Sequence, residues 1–202
     1  MKTRVKICGI TSLKDASLAA DLGACAVGFI FYTGSKRYVS CGKAREIANR
    51  LPPFVVKVGV FVNESRERMM EIKEYCMLDR IQVYGDSIVD VDPVDGALLH
   101  GITILAHRIR NAEDLEKVKK TKMFPLLDSY REKMYGGNGK KFDWDLLKGF
   151  DRPYILAGGI HIGNIDKALE LRPYAIDIAS GVEKAPGIKD PDKMRDIFKK
   201  IE

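Results

Sequence analysis

A chain of 202 residues, 46% hydrophobic and 31% charged, can bury a sizeable core without disulfide or metal staples. Lys and Arg exceed Asp and Glu by six, which favours an anionic partner; only 8% of residues are aromatic and no basic stretch interleaves with them, so a small phosphate ester is expected before a nucleic acid. No apolar run reaches the about 18 residues a bilayer crossing needs and no secretory segment follows Met1, so a soluble cytoplasmic protein is expected.

Strand-like runs then alternate with helical patterns along the whole chain, the rhythm of repeated βα units around a parallel sheet. The first strand is expected at Val5 to Cys8, followed by a helix over Leu13 to Leu22 that Ser12 caps and Gly23 stops. A second strand, Ala26 to Phe31, leads to a helix from Gly42 to Leu51 behind Ser40, which Pro52 and Pro53 end. The third, Val55 to Phe61, is a near-continuous apolar run of the kind buried on both faces, and Asn63 is expected to open the helix Ser65 to Cys76. Arg80 to Val83 is the fourth strand. The stretch Gly85 to Gly101 offers at best one helical turn, so a short or degenerate fourth helix is expected there.

Strands five to eight are read at Ile102 to His107, Phe124 to Leu127, Tyr154 to Leu156 and Ala175 to Ile178. Between and after them come helices capped by Asn111 (Ala112 to Lys120), Asp143 (Trp144 to Lys148), Asn164 (Ile165 to Leu171) and Asp190-Pro191 (Asp192 to Lys200). Eight such units in this length predict a single α/β domain over 1–202, a (β/α)₈ barrel near its minimal size with short loops on one face. A doubly wound open sheet is the other architecture this rhythm allows.

In a barrel, chemistry collects at the C-terminal ends of the strands, so residues there are the candidates. Cys8 ends the first strand, and Lys6, two residues earlier, projects to the same side, where its ammonium is expected to favour the thiolate. Asp128 ends the sixth strand and opens a long polar stretch, Ser129 to Lys140, whose three glycines suit a lid. A strand-end cysteine also serves as a small buried hydrophobe, and an aspartate as a turn residue. Gly158-Gly159 follows strand seven and Ser180-Gly181 follows strand eight, where backbone N–H groups and a short extra helix cradle phosphate in many barrels. Arg37, after strand two, has the fork to clamp a carboxylate, or is a solvated charge. Asp177 either meets a polar substrate group or pairs with Lys6.

His100, His107 and His161 show no metal-ligand spacing and are expected to be structural or exposed. The four cysteines, Cys8, Cys25, Cys41 and Cys76, contain no C-x-x-C pair, so reduced thiols are expected rather than zinc ligands or a dithiol. Met69 and Met70 read as core.

Taken together, Val5 to Thr11, Gly28 to Tyr32, Lys36 to Ser40, Val58 to Asn63, Leu126 to Ser129, Tyr135 to Trp144, Leu156 to Ile160 and Ser180 to Glu183 resemble the phosphoribosylanthranilate isomerase family, in the family's order from first strand to last helix. The resemblance implies a (β/α)₈ enzyme of tryptophan biosynthesis that isomerises N-(5-phosphoribosyl)anthranilate by an Amadori rearrangement, with no metal or cofactor. It further implies that Asp128 is the general acid at the furanose ring oxygen and Cys8 the general base at the adjacent carbon. Arg37 would face the anthranilate carboxylate and Asp177 a polar group of the substrate, with Gly158, Gly159, Ser180 and Gly181 at the phosphate. The fourth strand departs from the family: it reads Gln82-Val83-Tyr84-Gly85 where Gln-Leu-His-Gly is usual, and Ala179 stands where a second serine is common.

Three other readings are open to the sequence. The histidine-pathway isomerase performs the same rearrangement in the same fold but uses two aspartates, whereas the first strand here carries Cys8. A noncatalytic phosphate-ligand sensor, or a nucleic-acid binder, would account for the charge without isomerising anything. Monomer and homodimer are equally open.

Overall fold

The computed structural model describes residues 3–85, 101–129 and 144–201. Eight parallel strands close into a barrel in the order β1 (Arg4–Cys8), β2 (Ala26–Ile30), β3 (Val56–Val62), β4 (Arg80–Tyr84), β5 (Thr103–Ile109), β6 (Phe124–Ser129), β7 (Ile155–Leu156) and β8 (Ala175–Ile178). β8 pairs back onto β1, with Lys6 opposite Asp177, so the open doubly wound sheet is excluded. The eight strands expected from sequence are all present, with ends shifted by at most two residues.

Six α-helices clothe the described barrel: α1 (Leu13–Asp21), α2 (Cys41–Ala48), α3 (Arg66–Tyr75), α4 (Ala112–Lys120), α5 (Ile165–Glu170) and α6 (Pro191–Ile201). Ser12, Ser40 and Asn111 cap α1, α2 and α4 as expected, each side chain accepting from the backbone N–H three residues on. Two expected caps are corrected. α3 is capped by Ser65, whereas Asn63 lies in a left-handed turn at φ 49 and its backbone N–H donates to Tyr84 O. Asn164 makes no cap bond to α5; its Oδ1 accepts from His161 N and its Nδ2 donates to Gly159 O, tying down the turn after β7. Trp144–Leu147 forms a 3₁₀ turn, shorter than the helix expected there. The expected degenerate helix within 86–100, the Asp143 cap and the glycine-rich stretch from 130 to 140 lie outside the described residues.

Burial divides into two cores. Outward-facing side chains such as Ile7, Val27, Phe29, Phe61 and Ile81 pack against the helices. A smaller cluster, Ala106, Leu126, Ile155, Ala157 and Ala175 with Tyr84, Ile104 and Phe124 against it, fills the barrel itself. Met69 belongs to the outer core and Met70 packs against it. Because side chains alternate across a strand, each inward row ends at one residue near the C-terminal mouth. Those terminal inward positions are where the site lies.

One element was not expected. After the 3₁₀ turn at Ser180–Val182, the chain folds a small hairpin, β9 (Glu183–Ala185) against β10 (Ile188–Lys189). It places Lys189 deep under the mouth.

Candidate active site

At the C-terminal end of the barrel is a cavity of about 460 Å³ lined by Cys8, Arg37, Tyr84, Asp128 and Asp177, and by the turns Gly158-Gly159 and Ala179-Ser180. Thus Cys8, Asp128, Arg37, Asp177, Gly158, Gly159 and Ser180, singled out separately from the sequence, converge on one space. Gly181 lies just behind it. Its own Cβ position would collide with the Ile160 carbonyl, so the turns after β7 and β8 touch backbone to backbone where no other residue fits. Gly158 and Gly159 take φ values of 90° and 74°, in the region that favours glycine.

Beneath the thiol is a buried polar layer. Lys6 Nζ donates to Asp177 Oδ2 at 2.8 Å and to Gln82 Oε1 at 2.9 Å. Of the two sequence readings of Asp177, the pairing with Lys6 is therefore present, yet its Oδ1 is buried with no hydrogen-bond partner and the residue lines the cavity. Glycine at position 28 makes room for this arrangement: a Cβ there would lie 2.8 Å from Cys8 Sγ and 3.1 Å from Lys6 Nζ.

Lys6 favours the Cys8 thiolate, as expected, but the surroundings outweigh it. Burial, then the Asp177 carboxylate, push the thiol above its ordinary value, and the opposing ammonium groups of Lys6 and Lys189 do not overcome them. Lys6 itself is held above its usual value: burial works against the charge, but Asp177 and Cys8 outweigh it.

Arg37 is not a free surface charge. Its Nε and Nη2 grip Glu183 at 2.8 and 2.7 Å in a bidentate fork. Burial alone would raise the Glu183 carboxyl, but the Arg37 hydrogen bonds and Lys189 hold it below the usual carboxylate range. Lys189 Nζ donates to Glu183 Oε1, to the Cys8 carbonyl and to the Ala179 carbonyl, so one ammonium ties the ends of β1 and β8 to the carboxylate that orients Arg37.

On the far wall, Tyr84 Oη donates to Asp128 Oδ2 at 3.0 Å. Burial, reinforced by the Asp128 carboxylate, pushes the Tyr84 phenol well up, so it stays protonated. Arg108, opposite Asp128 in the β5–β6 pairing, also lines the cavity and lies 6.0 Å from the Tyr84 ring centroid. Among the described residues no group of three or more His, Cys, Asp or Glu side chains could hold a metal ion, and no helix is long and apolar enough to cross a membrane.

The model of the N-(5'phosphoribosyl)anthranilate (PRA) isomerase family matches residues 5–200. The chain belongs to the phosphoribosylanthranilate isomerase family. The isomerase of Thermotoga neapolitana is 43% identical over 98% of this chain and 97% of its own length. A solved phosphoribosylanthranilate isomerase in complex with reduced 1-(o-carboxyphenylamino)-1-deoxyribulose 5-phosphate superposes with a TM-score of 0.85 at 38% identity, covering 98% of this chain and 97% of that one. Monomers generated from the dimeric isomerase of Thermotoga maritima match at a TM-score of 0.84 and 36% identity over 98% and 97% of the two chains.

Within the phosphoribosylanthranilate isomerase barrel, sequence reasoning missed four members of the site: Gln82, Arg108, Glu183 and Lys189. Gln82 was legible in principle, since it lies two before Tyr84 on one strand and so faces the same interior. Lys189 had no such signal, because its hairpin is too short to show a period. Of the histidines, His161 is exposed and its Nδ1 accepts from Gly163 N, while His107 is part-buried in β5; His100 lies outside the described residues. All four cysteines are free thiols.

Proposed function

We propose that residues 1–202 act as one catalytic barrel that isomerises N-(5-phosphoribosyl)anthranilate to 1-(2-carboxyphenylamino)-1-deoxyribulose 5-phosphate in the cytoplasm, by acid–base catalysis that needs no metal or cofactor. The single observation that carries this reading is a thiol and a carboxyl, Cys8 and Asp128, on the wall of one cavity that also holds an arginine fork and paired glycine turns. A related structure holds a phosphorylated anthranilate product analogue, and two arginines, Arg37 and Arg108, line this cavity.

Asp128 gives a proton to the furanose ring oxygen as the C1'–O bond breaks and the nitrogen lone pair forms the C1'=N bond, leaving the ring-opened, protonated imine. Cys8 thiolate then takes the proton from C2', and the electron pair moves into a C1'–C2' double bond to give the enolamine. Tautomerisation places a proton on C1' and releases one from the C2' hydroxyl, yielding the ketone. The raised thiol makes thiolate scarce at neutral pH but strongly basic once formed, and Lys6 and Lys189 are the cations that favour it.

The glycine turns at Gly158-Gly159 and Ser180-Gly181 offer backbone N–H groups to the phosphate. Arg37, already oriented by Glu183, presents its remaining N–H edge to the anthranilate carboxylate. Asp177 Oδ1 accepts a hydrogen bond from a sugar hydroxyl, which satisfies its one unpaired oxygen.

Turnover of the purified chain with N-(5-phosphoribosyl)anthranilate, followed by loss of anthranilate fluorescence, tests the proposal. Cys8→Ala and Asp128→Asn should each lose about 10³-fold or more in kcat while still binding the reduced product analogue. Wild-type rates in both variants would overturn the acid–base assignment, and turnover of only the histidine-pathway aminoimidazole substrate would overturn the substrate.

A further inference from the structure

The side chains between the two proposed reacting groups form a directed line of hydrogen bonds: Lys6 Nζ to Gln82 Oε1 at 2.9 Å, Gln82 Nε2 to Tyr84 Oη at 3.4 Å, and Tyr84 Oη to Asp128 Oδ2 at 3.0 Å. Each donor in the line has its direction forced by the one before. An ammonium has no acceptor, so Lys6 must donate and Gln82 must present its oxygen to it. That turns the Gln82 amide nitrogen toward Tyr84. A phenol has one hydrogen, and with its oxygen receiving Gln82 that hydrogen points at Asp128. Gln82 is 1% exposed and Lys6 3%, so neither can exchange these partners for water.

We infer that Tyr84 is a positioning residue for the isomerisation, locked by Lys6 and Gln82 into donating to Asp128 Oδ2, which fixes the rotamer of the acid. This deepens the reading given above and rests on Asp128 being the acid. A fixed donor stabilises the ionised carboxylate more than the protonated one, so it makes Asp128 a stronger acid. In the proton inventory of the reaction, it readies Asp128 to release its proton as the ring opens and then holds the resulting carboxylate.

Among the described residues, Tyr84 on β4 and Arg108 on β5 face Asp128 from the adjoining strands. Beyond Tyr84 lie Cys8 on β1 and Asp177 on β8, whose charges act on the phenol. Arg108 lines the same cavity, and replacing the Tyr84 hydroxyl leaves it in place. The effect of the phenol is therefore separable.

The test is Tyr84→Phe, which keeps the ring and removes the hydroxyl. Two readouts are needed: the pH profile of kcat, and the titration of Asp128 by carboxyl carbon NMR without substrate. Since the acid must be protonated to work, loss of a donor to its ionised form should move its titration, and the alkaline limb it controls, up by about one pH unit. At optimal pH kcat should fall about 10-fold, with KM within about 2-fold of wild type. Tyr84→His, which restores an N–H donor at this position, should bring the titration back toward the wild-type value. An unchanged Asp128 titration in a folded Tyr84→Phe protein would overturn the inference while leaving the isomerase intact. Loss of turnover in Cys8→Ala and Asp128→Asn, by contrast, is independent of this position, so the two proposals fail separately.

Discussion

Cys8 and Gly28 lie opposite one another in the β1–β2 pairing, and the missing side chain of Gly28 is the space the thiol occupies. The same space admits the head of Lys6. A single hydrogen at position 28 thus decides where the sulfur and its ammonium neighbour sit.

Gly28→Ala should therefore crowd both groups at once. An added methyl within 3.1 Å of two buried heads must displace one of them, at a stability cost of about 1–3 kcal/mol. Because the displaced groups include the proposed base, kcat should fall by about 10-fold or more, with KM for the phosphorylated substrate little changed. Urea unfolding and steady-state kinetics on the same preparation measure the two effects, and a fully active, fully stable variant would show that the site tolerates the displacement.

Glu183→Gln should expose the role of the Lys189 ammonium. Lys189 is 1% exposed and would lose its charge partner, while Arg37 would lose its fork. Removing one partner of such a buried pair costs about 3 kcal/mol or more. The pH dependence has a definite sign. Glu183 is held below its ordinary value of 4.5 in the folded protein, so its stabilisation is present above that value and is lost as pH falls through the folded value. The gap in unfolding free energy between wild type and Glu183→Gln should accordingly be full at pH 7 and shrink below pH about 4.5. A gap independent of pH would contradict the pairing.

Gly181→Ala should act on binding rather than on proton transfer. A methyl at this position meets the Ile160 carbonyl, and the two turns must part. With the backbone N–H groups no longer converging, KM for substrate should rise about 10-fold or more, equivalent to about 1.4 kcal/mol of binding. Competitive inhibition by inorganic phosphate should weaken in parallel. Isothermal titration with the reduced product analogue would register the same loss, and an unchanged phosphate affinity would place the anion elsewhere.

The order of strands, the caps at Ser12, Ser40 and Asn111, and the positions of Cys8 and Asp128 at strand tips were all legible in the chain. Asn63 and Asn164 were misread for one reason. Both are good capping residues by type, but one is used to turn left-handed after β3 and the other to brace the turn after β7. Residue type predicts that a polar side chain will find a backbone partner, and the fold decides which.

Charge behaved in the same way. From sequence, Lys6 two residues before Cys8 suggests a lowered thiol, since proximity along a strand is visible and burial is not. Burial, and after it the carboxylate of Asp177 on β8 at the other end of the chain, reverses the balance. Arg37 likewise looked free because its partner, Glu183, lies in a hairpin too short to announce itself.

Eight strand runs and most helix caps were legible in the amino-acid order because period and capping are local, and the family was legible through the motifs that resemble it; the pairing of β8 with β1 decided for a barrel over an open sheet. What only the closed tertiary structure decided is the state of the site: which ammonium meets which carboxylate, that the thiol is raised, and that a tyrosine on β4 faces the aspartate on β6. Those outcomes depend on burial and on distances across the barrel. Closure of β8 onto β1 creates both, and no stretch of sequence contains either.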